Sequence, residues 1–69
     1  MMSASENIKR IRNILCIDQR DLSEELGLSQ AAISLYERGK RIPRIQIIGK
    51  LKKLAKKANL KVTTEDFFE

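Results

Sequence analysis

Gln30 has the side chain best suited to bind a ligand. It lies at the start of the second of two short helical patterns between residues 19 and 38. A glutamine amide carries a donor and an acceptor, which match the N6 and N7 atoms of adenine in the major groove of DNA. Ala31 and Leu35 share the predicted outer face and suit contact with thymine methyl groups, while Ser34 suits a base or a phosphate oxygen. The predicted base contacts are Gln30, Ala31, Ser34 and Leu35.

Each of these residues also has a simpler structural interpretation. Gln30 could be an ordinary exposed residue of a first helical turn, and Ser34 could satisfy a backbone carbonyl. Leu35 could pack on the following basic loop or cover Tyr36 instead of meeting DNA. Because few residues on this face are polar, DNA shape would have to supply part of any sequence preference.

A run of basic residues follows the second helical pattern. From Arg38 to Lys61 there are ten lysines or arginines and no acid, in a chain of formal net charge +5. Basic side chains that bind the phosphate backbone position a protein without reading sequence, and they make binding fall steeply with salt. The lysines of the following helix are predicted to be mainly a solvated face. Gln19, at the start of helix 2, is predicted to hold a phosphate through the helix dipole.

Helical patterns supply the scaffold for these side chains. Helix 1 is predicted over residues 4–16, with the lone cysteine, Cys16, in the core. Ser3, with Glu6 three residues later, is predicted to cap helix 1, and Asp18 and Ser29 are predicted to cap helices 2 and 3. Gly27 is predicted to end helix 2 in the left-handed conformation that glycine tolerates. Two short helices joined by a tight turn are therefore expected at the centre of the chain.

A fourth helix and a last turn complete the predicted layout. Helix 4 follows Pro43, and Asn59 is its predicted end. A threonine at 63 or 64 is predicted to cap a final short helix. The pattern predicts one all-α domain of five helices over residues 1–69. The predicted apolar stripe of helix 4 is Ile45, Ile48, Leu51, Leu54, Ala55 and Ala58.

The C-terminal turn contains two of the three aromatic residues, Phe67 and Phe68. One ring should close the core, whereas a second is hard to bury in a domain of this size. The turn is therefore predicted to be a self-association surface. The alternative is that both rings belong to the core. The predicted dimer interface is Leu60, Val62, Phe67 and Phe68.

Composition narrows the class of function. With no histidine and one cysteine, neither a metal site nor a catalytic nucleophile–base pair is expected, and no cofactor or small-molecule ligand is predicted. The apolar runs are too short for a membrane span or a secretory segment, so a cytoplasmic protein is expected. The positive charge predicts an anionic partner. A membrane-active helix is disfavoured because the apolar residues already fit a globular pattern.

Several residues stand in the register of a known family: Gln19, Gly27, the stretch ISLYERG at residues 33–39, and the basic loop with Pro43. With them the chain resembles the Cro/CI-type (Xre) helix-turn-helix DNA-binding domain of phage and bacterial regulators, over roughly residues 5 to 68. The resemblance implies a lambda-repressor-like fold with the helix-turn-helix at about residues 19–38. The chain departs from the family pattern at Ser23, where alanine is usual, in about three extra residues after the proline, and at Gly49 inside helix 4.

The resemblance also implies roles for single residues. The loop residues Arg38, Lys40, Arg41 and Arg44 would hold the sugar–phosphate backbone, and Arg44 would also lie near the minor groove. Gln19 would bind a phosphate and support Gln30. Arg12 and Glu37 would form a buried ion pair between helices 1 and 3, the alternative being two independent surface charges.

The function implied is transcriptional regulation. We expect a Cro-like repressor that binds a palindromic operator as a homodimer in a bacterial cell or an infected bacterium. The alternative is an antitoxin-type interaction module that also represses its own operon.

Overall fold

The computed structural model describes residues 3–68, which form four α-helices and one short 3-10 helix. No strand occurs within these residues. The predicted fifth helix is a single 3-10 turn of four residues. The predicted count of five helices is therefore not confirmed. The elements are α1 (Ala4–Leu15), α2 (Gln19–Leu26), α3 (Gln30–Glu37), α4 (Ile45–Lys57) and the C-terminal turn (Thr64–Phe67).

The first three helices begin at the side-chain caps that the sequence predicts. Ser3 Oγ and Asp18 Oδ1 each accept the amide of the third helical residue, at 3.3 and 2.8 Å. Ser29 Oγ accepts the equivalent amide of α3 at 3.2 Å. These bonds satisfy backbone N–H groups that a helix leaves without partners. Gly27 ends α2 with a φ of 67°, as predicted.

The cap at Asp18 makes stability depend on pH. The pKa of its carboxyl lies below the usual value, first because it accepts the backbone amide of Asp21. A carboxyl whose pKa is lower in the folded state contributes stability above its unfolded pKa and loses it as pH falls. Because asparagine caps about as well as aspartate, D18N should lose less stability than the wild type between pH 6 and about pH 3.

Urea unfolding at the two pH values measures this difference. E25Q is the matched control, because it removes the same charge from an exposed position of α2 outside the cap. Parallel pH dependences for D18N and the wild type would contradict the prediction.

Cys16 lies outside the core, so its predicted burial is wrong. α1 ends one residue earlier, and Cys16 adopts the left-handed conformation with a φ of 56°. Its amide closes the last turn by donating to Asn13 O at 3.2 Å. This turn carries the chain away from the apolar face of α1, and the thiol is exposed.

The apolar face of α4 is the predicted one except at its first residue. Ile48, Leu51, Leu54, Ala55 and Ala58 are buried as predicted, whereas Ile45 is 61% exposed and Ile47 is buried in addition. At 100° per residue the buried positions from Ile47 to Ala58 form an arc that ends at Ile48, and Ile45 lies about 60° beyond that edge. Gly49 faces open space, since an added Cβ would meet nothing within 4 Å. Close packing therefore does not explain that glycine.

All four helices and the C-terminal turn contribute to one core. Lys50 links α4 to α2 by a hydrogen bond. Its Nζ donates to Leu26 O at 3.2 Å and so satisfies a carbonyl at the end of α2. No helix within residues 3–68 is long and apolar enough to cross a membrane. The largest fully buried side chains are Ile8, Ile11, Leu22, Leu26, Ile33, Ile48, Leu51 and Phe67.

Candidate nucleic-acid interface

The outer face of α3 carries the four residues predicted to contact bases. Gln30 and Ala31 are exposed, and Ser34 and Leu35 are half-buried. At 100° per residue these four side chains span an arc of about 140° on one side of α3. The other residues of α3, Ala32, Ile33, Tyr36 and Glu37, are buried and belong to the fold.

A buried ion pair fixes the end of α3 on the scaffold. Arg12 Nε donates to Glu37 Oε2 at 2.8 Å, and Arg12 Nη2 donates to Glu37 Oε1 at 3.1 Å. Glu37 is 4% exposed and Arg12 is 22% exposed. The hydrogen bonds to Glu37 raise the pKa of the Arg12 guanidinium. The structure thus brings together the two residues that the family resemblance pairs.

Gln19 joins the same pair. Its Nε2 donates to Glu37 Oε1 at 3.2 Å, from the first position of α2. Within residues 3–68 the amide is therefore bonded to Glu37 and not to Gln30, the residue that the resemblance implies it supports. The sequence held no signal for this contact, because the two residues lie 18 positions apart in different helices.

Two carboxylates at the start of α2 accept hydrogen bonds from backbone amides that could otherwise bind an anion. Asp18 Oδ1 accepts the Asp21 amide, and Asp21 Oδ2 accepts the Asp18 amide at 3.3 Å. The Asp18 carboxylate also accepts from the Arg20 amide, which contributes to its lowered pKa. The helix dipole favours anions here, but the two carboxylates already use several of the free amides. A phosphate contact of Gln19 at this end of α2 stays a prediction.

The loop after α3 places the predicted phosphate contacts in solvent. Arg38, Lys40, Arg41 and Arg44 are all exposed, whereas Pro43 is buried and anchors the loop. The Lys40 amide donates to Leu35 O at 2.9 Å, and Arg38 Nε donates to Ser34 O at 3.4 Å. These bonds hold the start of the loop against the end of α3.

A groove separates the loop from α3. Arg41 and Arg44 border it on one side, and Ala32 and Tyr36 border it on the other. Two cations of the loop thus lie next to the helix that carries the predicted base contacts. Its lining residues are Leu28, Ala32, Tyr36, Arg41, Ile42, Arg44, Gln46 and Ile47.

The predicted dimer residues divide between core and surface. Phe67 is fully buried within the chain, so its ring is not available to a partner in this conformation. The reason is that the C-terminal turn folds back between α1 and α4. Phe68 is 48% exposed, and Leu60 and Val62 are half-buried against the core. Phe68 is thus the member of the set with the most apolar surface exposed.

A comparison with protein-family models agrees with this geometry. A family model described as helix-turn-helix, of the Cro/CI type and similar to the Xre family, matches residues 8–63. The match covers all of α2, α3 and α4, together with the basic loop. A search of curated proteins finds no match. Domains of this family bind DNA and regulate transcription. The chain belongs to the Cro/CI-type helix-turn-helix family.

Proposed function

We propose that this protein is a sequence-specific repressor of the Cro type that occupies a palindromic operator as a homodimer. The observation that carries the proposal is the exposed face of α3 around Gln30, followed directly by a loop of exposed cations that is hydrogen-bonded to Ser34 and Leu35. A helix with one amide and small neighbours fits the major groove, and adjacent cations suit its phosphate edges. Repression then follows from occupancy of promoter DNA.

In the proposed arrangement, different residues supply affinity for DNA and specificity for its sequence. Arg38, Lys40, Arg41 and Arg44 hold the sugar–phosphate backbone, and Gln19 adds a phosphate contact at the start of α2. Gln30 reads adenine, while Ala31, Ser34 and Leu35 add few further base contacts. Affinity therefore comes mostly from the loop, and DNA shape contributes to sequence preference.

The proposed homodimer uses the C-terminal surface around Phe68, with Leu60 and Val62 beside it. Two-fold symmetry would place two α3 helices in successive major grooves on one side of the duplex. The half-sites would then lie about 34–36 Å apart, or about one helical turn. Selection of binding sites from random DNA tests this arrangement, because it should return an inverted repeat with that spacing. Selection of single, unpaired half-sites would contradict the dimer.

Replacing Gln30 should change sequence preference more than overall affinity. Q30A is expected to lose about 1–3 kcal/mol of discrimination at one base position of each half-site, because the amide contacts a single adenine. Binding assays on operators that vary at each position measure the loss.

R41A is the comparison variant for Gln30. It should weaken all sequences by a similar factor and flatten the dependence of log affinity on log salt. Equal weakening of every sequence by Q30A would count against direct base reading by Gln30. An unchanged salt slope for R41A would remove that residue from the proposed phosphate contacts.

A further inference from the structure

A single buried carboxylate connects three of the helices that place the DNA-facing residues. Both oxygens of Glu37 accept hydrogen bonds, from Arg12 of α1 and from Gln19 of α2. Oε1 is shared, because it accepts Arg12 Nη2 at 3.1 Å and Gln19 Nε2 at 3.2 Å. The end of α3 is thus bonded directly to the first residue of α2, where the proposed function places a phosphate.

The chemistry of Glu37 determines which way the Gln19 amide faces. A carboxylate accepts hydrogen bonds and donates none, so it binds only the NH2 end of the amide. A glutamine amide without such a partner can flip and exchange its donor and acceptor ends. With one N–H committed to Glu37, the Gln19 amide keeps one free N–H and its carbonyl oxygen, each on a defined side.

Arg12 makes this arrangement compatible with an anionic ligand. Glu37 places a negative charge beside the start of α2, in addition to the carboxylates of the Asp18 and Asp21 caps. The guanidinium of Arg12 binds both Glu37 oxygens and compensates that charge. Without Arg12, the Glu37 charge would repel a phosphate at close range through a partly desolvated path.

We infer that Glu37, held by Arg12, is a positioning residue for DNA binding that acts through the side-chain amide of Gln19. Glu37 does not touch DNA in this arrangement. It fixes the Gln19 amide so that the free N–H is presented to a backbone phosphate in one orientation. The inference rests on the proposed function, because it assigns a cause to the orientation of one proposed phosphate contact.

A double-mutant cycle on DNA affinity tests the inference with the full chain. Q19M removes the amide. R12M/E37M removes the carboxylate together with its counter-ion, so no buried charge is left unpaired, and such a replacement is often neutral for stability. Each is expected to weaken binding to the selected operator by about tenfold, the usual scale for a hydrogen bond to a charged group.

The decisive result is whether the losses of DNA affinity in Q19M and in R12M/E37M are coupled. The triple variant Q19M/R12M/E37M should bind no more weakly than the weaker of the other two variants. Any loss from the missing bond between α1 and α3 is already present in R12M/E37M, and the remaining effect of Glu37 passes through Gln19. Circular dichroism establishes that each variant is folded at the temperature of the binding assay. Multiplicative losses in the triple variant would overturn the inference, and so would wild-type affinity in R12M/E37M.

E37Q keeps the inference falsifiable if R12M/E37M does not fold. Oε1 of Glu37 is shared by Arg12 and Gln19, so the Gln19 amide flips only if the introduced NH2 group takes the Oε1 position. The Gln19 side-chain amide resonances in the proton–nitrogen NMR spectrum report which orientation forms. We expect shifted resonances to go with binding about as weak as that of Q19M, and unshifted resonances to go with wild-type affinity. Wild-type affinity with shifted resonances, or weak binding with unshifted ones, would overturn the inference. Failure of the wild-type chain to bind any DNA would instead refute the proposed function.

Discussion

F67A is expected to destabilise the domain by about 3–5 kcal/mol, the usual cost of removing a fully buried phenylalanine ring. The ring of Phe67 is 0% exposed and lies in the core between α1 and α4. A domain of this size has a total stability of only about 3–10 kcal/mol. F67A should therefore be largely unfolded, and thermal unfolding followed by circular dichroism measures the change.

F68A is the matched control, since it deletes the same ring at the next position. Phe68 is 48% exposed, so half of its side chain is buried and the variant should lose about 1 kcal/mol, well below the loss in F67A. If the C-terminal surface forms the proposed homodimer, F68A should also sediment as a monomer at concentrations where the wild type is dimeric. Equal stability of F67A and F68A would contradict the burial of Phe67. A dimeric F68A would place the interface elsewhere.

R12M is expected to cost about 3 kcal/mol of folding free energy. Removal of one partner leaves the other charge buried, which typically costs about 3–5 kcal/mol. The lower end applies here because Arg12 retains 22% exposure, which lets water reach part of the site. Chemical denaturation at neutral pH measures the loss.

R20M is the control for R12M, because it removes an arginine from a solvated ion pair. Arg20 and Glu24 lie 3.8 Å apart with exposures of 79% and 71%. Such a pair contributes about 0.3–0.5 kcal/mol at most. Similar losses in R12M and R20M would contradict a structural role for the buried pair. Adding E37M to R12M should recover most of the stability, because no charge then remains unpaired.

Helix starts were predictable from the sequence because their physics is local. Ser3, Asp18 and Ser29 each accept an amide three residues away, a separation that the sequence shows directly. The glycine that ends α2 was predictable for the same reason, since Gly27 adopts the positive φ that its residue type favours. The order and limits of the first three helices were therefore within reach of sequence reasoning.

Side-chain burial at helix ends was less predictable, because it depends on how the helices pack. Cys16 follows an apolar run but lies beyond the turn that ends α1, and Ile45 fits the spacing of α4 but lies off its buried arc. Lys50 is exposed, as predicted for the lysines of α4, but its Nζ also binds a carbonyl of α2, a contact that periodicity does not predict. Periodicity identifies the middle of a buried face but not the residue at which burial ends.

The residues of the candidate site likewise divide into those that local spacing predicts and those that depend on how the helices pack. The exposed face around Gln30 follows from helical spacing alone, whereas the pairing of Arg12 with Glu37 was reached through family resemblance. The bond from Gln19 to Glu37 was not reached at all. It depends on the relative placement of α2 and α3, which no local pattern encodes.

The position of Phe67 has a consequence for synthesis on the ribosome. Phe67 closes the core and follows α1 to α4 in the chain, and the nearby bond from Asn7 Nδ2 to Asp66 O spans 59 positions. α1, which carries Arg12, therefore lacks its C-terminal packing partner until nearly all of the described residues have emerged. The scaffold that holds α3 is complete only after residue 67 has left the exit tunnel.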